Sequence, residues 1–539
     1  MLRSPWLLLC CLVPVCSFAQ IAADIDWGPS YKEPRNSNFD KIITHTADGF
    51  YALRTTQRDN LTMRPKVFLE KYRQSDMKLL RERELDLRHR GKVRELEDII
   101  LFGGKLHLLT SFNNLGQRTN YLFREELSYR SLQPTGDLVK IAEAETRLGG
   151  YQAGQFGYHV SSDSSHLLVY NVLPLRDGEP ERFDLRVFDR NFNERWHRPI
   201  ALPYRADEFE VEDYRIDRNG NVYLLGVVYE AGQRLERRNA PTYRYVILAY
   251  RNGGETVDRY DIDLDGLFIS ELTFRVNRNG ELVCAGFYSA RNSRDLRGSY
   301  YLRIDPTTKQ VLAQGIKDFG FELISQYMRP GEARRAAKRE AEGDARRAPE
   351  LYRYKLDELI LRSDGGALLV AEQFFVRRID VGTGAFYAPG AIYGRTNRQV
   401  QYVYNYNDLL VVNIRPDGEI EWTTRIPKVQ ETKNDGGHYS SYVMANVRDK
   451  LYFVFNDDRD NFRGEEQRYL QEFNGGRNSV IALVEVRRDG TWDSYPLGLN
   501  SDAQILTRPK VGKQIGRRTV ALLGERWRNY RFGKLVLPE

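Results

Sequence analysis

The stretch IPKVQETKNDGGHYSSYVMANVRDKLYFVFNDDRDNFRGEEQR, residues 426–468, is the densest polar part of the chain. Lys428, Gln430, Asp435, His438, Ser440 and Ser441 precede an apolar run; Asn456, Asp457, Asp458, Asp460 and Asn461 follow it. Two chemistries are open to such a set. Asp435, His438, Asp457 and Asp458 could supply acid and base for a hydrolase or lyase acting on a saccharide or peptide, if two of them reached one bond. Spread over a loop face, the same groups would bind a protein, peptide or glycan without turning it over. A plainer reading is a pair of polar loops whose Asn and Asp side chains cap turns.

Other chemistry finds no support in the spacing. Seven histidines, at 45, 89, 107, 159, 166, 197 and 438, show no zinc-ligand pattern. There is no G-x-S-x-G elbow and no glycine-rich phosphate loop. The catalytic residues are therefore unassigned, and no cofactor is implied. DIDLDG (261–266) opens like a calcium loop, but position twelve is Leu272 where the bidentate Glu belongs. Its alternation of Ile262 and Leu264 with Asp261, Asp263 and Asp265 is that of a strand end. A cation such as calcium has one other place. Glu97, Glu212, Glu271 and Glu358 fall on or beside the innermost strands of the repeat described next and would ring its axis. Solvated or salt-bridged acids are the plainer expectation there.

The elements that must hold these groups are written as a repeat. IDRNGNVYLLG (216–226) returns as VNRNGELVCAG (276–286), each reading strand, tight turn, strand. Asn-Gly is a strong hairpin signal and favours a type I′ turn, with positive φ at both central residues. Variants follow at 46–55, 101–112, 161–172, 362–374, 447–457 and 513–525. A second hairpin class lies between them, as in VILAYRNGGETVDRYDI (246–262) and VVNIRPDGEIEWTTRI (411–426). Four antiparallel strands per unit is a propeller blade. The count is eight blades, with seven as the alternative. The last unit, 519–539, falls short of four strands, while IAADIDWGPS (21–30) has no turn partner. The N-terminal strand is therefore expected to complete the last blade and close the ring. One stretch, GEARRAAKREAEGDARRAPE (331–350), carries no β-branched residue and reads as a helical insertion with an Ala333, Ala337, Ala341, Ala345 ridge. It is either a rim helix or a docking element for a larger envelope assembly.

Residues 1–19 read as a signal peptide: Arg3, an apolar run from Trp6 to Val15, and small residues at Ser17 and Ala19. Cys16, preceded by bulky residues, makes lipoprotein processing the lesser alternative. Residues 20–539 then form one exported domain, in the periplasm, in the outer envelope or secreted, with no membrane-spanning segment. Only Cys284 remains after cleavage, so no internal disulfide is available and the core must hold the fold. With 81 basic and 74 acidic residues, net +7 and interspersed signs, nucleic acid is not an expected partner.

The residues EQF (372–374), QYVYNYNDLLVVNIRPDGEIEW (401–422), PKVQ, NDGGHYSSY and FVFND resemble exported β-propeller proteins of unassigned function common in Bacteroidota, and the leader ending SFAQ is similar to theirs. The likeness is best over 355–465. It implies the fold and an envelope address. It carries no catalytic residues, because none are assigned in that group.

Overall fold

The computed structural model describes residues 23–539 apart from 57–64, 147–153, 175–179, 230–240, 345–346, 383–397, 463–469, 474, 477 and 503–504. The signal-peptide reading thus lies outside the described residues.

Eight four-stranded antiparallel sheets follow one another along the chain. Blades 1 to 7 cover residues 37–84, 95–145, 156–205, 209–262, 268–318, 354–433 and 443–499. Blade 8 takes Leu506–Gln514, Thr519–Arg526 and Asn529–Val536 from the C-terminus and Ile25–Trp27 from the N-terminus. In each blade the first strand lies innermost; the innermost strands of blades 1 and 2, 3 and 4, 5 and 6, and 7 and 8 touch, and the first and eighth meet across the closure. This is an eight-bladed β-propeller.

Radial stacking follows from strands that are apolar on both faces. In Leu282–Ser289, Val283, Ala285 and Phe287 join the cluster shared with blade 6. Leu282, Cys284 and Tyr288 join the one shared with blade 4. The two-residue period of a strand deals alternate side chains to the two neighbours. Eight such clusters fill the eight interfaces, ending with Phe39, Phe50 and Tyr72 of blade 1 against Leu523, Tyr530 and Phe532 of blade 8. Cys284 is fully buried, and burial pushes its thiol up to about 12, so it is an inert core residue.

The repeated turn differs from type I′. Only Gly220 has positive φ, at 80°, and its N–H donates to the Asp217 carbonyl. The Asp217 carboxylate accepts from the Asn219 and Asn221 amides at 2.8 and 2.9 Å. Asn277 caps the second copy in the same way. An Asx cap therefore sets the turn, with glycine at its left-handed position.

The helical insertion is shorter than its composition suggests. Helix α1 is Phe321–Ser325 and α2 is Pro330–Ala341. Gly343, at φ 70°, ends the run well before Pro349. Ala336, not the expected ridge, is its buried residue; Ala345 lies outside the described residues. Glu340 binds both terminal nitrogens of Arg297 at 3.2 Å and ties α2 to blade 5. No helix of the described residues is long and apolar enough to cross a membrane.

Ile25 sits in the cluster between blades 7 and 8, and Ile25–Trp27 pairs with Gly533–Leu535. Deleting residues up to Pro29 is expected to move the single thermal unfolding transition of the whole chain downward, read by circular dichroism. A separate early transition with the main one unmoved would show instead that blade 8 melts alone.

Candidate functional site

The loops before and after the first hairpin of blade 7 do meet, as their spacing predicts. NDGG (434–437) turns because Asn434, Gly436 and Gly437 all adopt positive φ. A Cβ on Gly437 would stand 2.2 Å from the Tyr406 ring. Asp435 is spent on this turn, accepting from the Gly437 amide at 2.9 Å. Across the hairpin, Asp457 accepts from the Asn461 side chain at 2.7 Å, and Asp458 accepts from the Asp460 amide at 2.9 Å.

What joins the loops lies inside. Lys428, Gln430, Ser440 and Asn456 have no exposed surface. The Lys428 ammonium donates to Glu372 at 2.6 Å, to the Tyr406 carbonyl at 2.9 Å and to Gln430 Oε1 at 3.1 Å. Ser441 closes the loop, its hydroxyl donating to Glu372 and its amide to Gln430, both at 2.7 Å. Gln430 Nε2 then donates to the Asn456 carbonyl of blade 7. The Asn456 amide donates to the carbonyls of Tyr439 and of Thr507 in blade 8. One network thus runs through blades 6, 7 and 8.

His438 stands apart from Asp435 and Asp457. Its Nε2 lies 3.0 Å from Glu525, which also accepts from Arg508 at 2.9 Å. Burial works to raise the Glu525 carboxyl, but the bonds from His438 and Arg508 hold it below the ordinary range. Among the described residues no cation lies at bonding distance from Asp457, and burial pushes it from 3.8 to about 7. The four candidate acid–base groups therefore serve a turn, an ion pair and a loop cap.

Around the axis the geometry is different. Five innermost strands carry a β-bulge at the same height, leaving Asp40, Glu97, Glu212, Ser270 and Asp357 out of the ladder. Glu97, Glu212, Glu271 and Glu358 all lie on these strands, as expected. Asp40 and Asp357 join them, although neither was expected from the spacing of the glutamates. The signal was present in the repeated apolar–polar–charged–apolar tetrads FDKI (39–42), LEDI (96–99), VEDY (211–214), ISEL (269–272) and LDEL (356–359).

Burial raises Asp40, Glu97, Glu212 and Asp213, takes Glu271 to about 7, and takes Asp357, which accepts from the Tyr442 hydroxyl, to about 6. Cations follow further along the same strands. Arg215 pairs with Asp213 at 2.6 Å, Arg275 faces Glu358 at 4.0 Å, and Lys41 pairs with Asp98 at 2.6 Å. Burial, then Arg215 and Arg275, depress His159 to about 4. No three metal-ligating side chains among the described residues are grouped to hold an ion. Where blades 4, 5 and 6 meet, a cleft of about 470 Å³ opens, lined by Glu212, Ser270, Glu271, Arg294, Arg353 and Lys355.

No protein-family model and no curated protein matches the chain. Among solved structures, the β-propeller domain of the Trilobed protease from Pyrococcus furiosus is similar over 87% of this chain and 97% of its own, at 10% identity and TM-score 0.34. An acylaminoacyl peptidase bound to Z-Gly-Gly-Phe-chloromethyl ketone is similar over 92% of this chain, at 9% identity and TM-score 0.35. The chain spans 58% of that peptidase's length. Cobalt-substituted Synechocystis ACO is similar over 87% of this chain and 95% of its own, at 10% identity and TM-score 0.34. Likenesses this remote carry no argument about activity.

Two outcomes follow from the buried groups. Lys428→Met strands the Glu372 carboxylate and is expected to cost about 3–5 kcal/mol in denaturant unfolding. Adding Glu372→Met should restore most of that loss. Asp457 holds its proton more tightly folded than unfolded, so its contribution to stability is full below pH 3.8 and is lost as pH rises through about 7. Asp457→Asn should remove that fall from the stability–pH profile.

Proposed function

We propose that the protein is a non-catalytic β-propeller, exported to the periplasm or outer cell envelope, that binds a protein, peptide or glycan through the face where the innermost strands begin. One observation carries this reading. The acid and base groups that hydrolysis would need do not converge, whereas a cleft of mixed charge opens beside the axis. Asp435 caps a turn, His438 serves Glu525, and Asp457 is closed over by Asn461. The cleft sets Glu212 and Glu271 across from Arg294, Arg353 and Lys355. Its volume falls in the range of small-ligand sites, and its walls stand on a rigid ring rather than on long loops.

Asp435, which is exposed, and His438, Asp460 and Asn461, which are half-buried, lie on either side of the first hairpin of blade 7. Lys428, Gln430, Ser440 and Asn456 act beneath it, as the frame that fixes its shape. The leader-like N-terminus and the likeness of 355–465 to exported Bacteroidota propellers support the envelope address.

The test is retention of envelope peptide and glycan fractions on the immobilised intact chain, against an Arg353→Gln/Lys355→Gln variant. The expected result is retention by the native chain and a loss of roughly tenfold in the variant, with unchanged melting. New amines or reducing ends released by the native chain, and not by Glu271→Gln, would place it among hydrolases instead.

A further inference from the structure

The hairpin that joins the second and third strands of blade 8 breaks two local rules at once. Arg526 pairs with Asn529, leaving Trp527 and Arg528 as a two-residue loop. Trp527 adopts φ 61°, at the first loop position, where glycine is the residue that fits without strain. Its indole is also 90% exposed, more than any other large apolar side chain among the described residues. The other large apolar residues at positive φ among the described residues, Met77, Leu132 and Phe192, pack into the core, and the exposed residues at such φ are otherwise polar. Here the strain gains the fold nothing, which points to use outside the fold.

Beside the indole lies a cleft of about 500 Å³, lined by Ser30, Asp502, Arg526, Asn529 and Arg531. It shares no lining residue with the axial cleft. Hydrogen-bond donors and acceptors sit on short and long arms beside one projecting aromatic face. That combination suits a sugar ring, which offers an apolar C–H face for stacking and a rim of hydroxyls for hydrogen bonding.

The charge is uneven. Arg526 and Arg531 line the cleft against Asp502, and the Arg531 guanidinium is already oriented over the Trp27 ring at 5.1 Å. Guanidinium groups match carboxylate and sulfate in a two-bond fork. A lipid surface would call for several apolar side chains around the projecting indole, and the residues beside Trp527 in the turn are polar. A protein interface would call for a wider apolar area, and the turn's other residues, Arg526, Arg528 and Asn529, are polar.

We propose that the Trp527 cleft on blade 8 binds an anionic saccharide, its ring stacked on the indole and its carboxylate or sulfate met by the arginines. This site is independent of the axial cleft, so its failure would leave the reading above in place.

The test uses the full chain and Trp527 fluorescence together with calorimetry. The probes are oligogalacturonate and dextran sulfate fragments, with methyl-esterified oligogalacturonate and plain dextran as uncharged counterparts. At least one anionic probe is expected to bind, roughly tenfold or more tightly than its uncharged counterpart. Trp527→Gly should weaken that binding by roughly tenfold or more while leaving the melting temperature unchanged or raised, because glycine relieves the turn. Trp527→Phe should keep part of the affinity. Absence of binding by both anionic probes, or equal binding by Trp527→Gly, would overturn the proposal. So would Trp527-dependent binding confined to poly-aspartate or phosphatidylglycerol vesicles.

Discussion

Each blade is apolar on both faces, and no arrangement short of a closed circle buries both. Along Val222–Tyr229, Val222 and Leu224 turn to blade 3 while Tyr223 and Leu225 turn to blade 5. A sheet with that pattern exposes one wet apolar face until a neighbour covers it, and the neighbour then has the same problem. Transferring the problem around the ring ends only when blade 8 meets blade 1. The three residues Ile25–Trp27 matter out of proportion to their length for this reason. They supply the outer edge of the one blade assembled from both chain ends.

Apolar interfaces alone do not distinguish one blade from another, since Leu, Val and Tyr recur in all of them. Buried polar contacts do. Arg508 donates to the Phe39 carbonyl across the 8–1 interface, and the Tyr72 and Tyr530 hydroxyls meet there at 3.1 Å. Gln430 reaches Asn456 across the 6–7 interface, and Thr507 reaches it across the 7–8 interface. A misplaced blade would leave each of these groups buried without a partner, at a cost of about 1–3 kcal/mol apiece. Buried ion pairs such as Lys428–Glu372 add little net stability over an apolar pair. Their contribution here is to make the wrong neighbour expensive.

The architecture was legible because its signals are local. A glycine that adopts positive φ, as Gly220, Gly280 and Gly365 do, marks a turn in any context, and the return of that strand–turn–strand unit along the chain implies the blades. The unpartnered N-terminal strand was legible as an absence in the last unit. The helix was overextended because Ala, Glu and Arg continue past Gly343, and composition does not register the one residue that stops it. The polar stretch 426–461 was legible as a cluster but not in its direction. Bulges between Glu372 and Phe374 and between Asn407 and Leu409 shift the register of blade 6 beside Lys428 and Gln430. A one-residue slip exchanges the two faces of a strand, so side chains that sequence places on a loop face point inward.

The same device explains the axis. A bulged residue contributes nothing to the ladder, so a charged side chain placed there costs the sheet no pairing. Five blades use that freedom at one height, and with Glu271 beside Ser270 all five place a carboxyl at or next to the bulge. Further along the same strands, blades 4 and 5 carry Arg215 and Arg275. In these two blades the innermost strand is thus acidic at the bulge and basic beyond it. Burial, helped by neighbouring carboxylates, raises the acids of this level, Glu271 to about 7 and Asp357 to about 6. A cationic group approaching this face would favour ionisation of those carboxyls, which strengthens the very field that holds it. An anionic group meets no such response there. The two ends of the innermost strands in blades 4 and 5 are therefore chemically different, and the bulge sets where the acidic end lies.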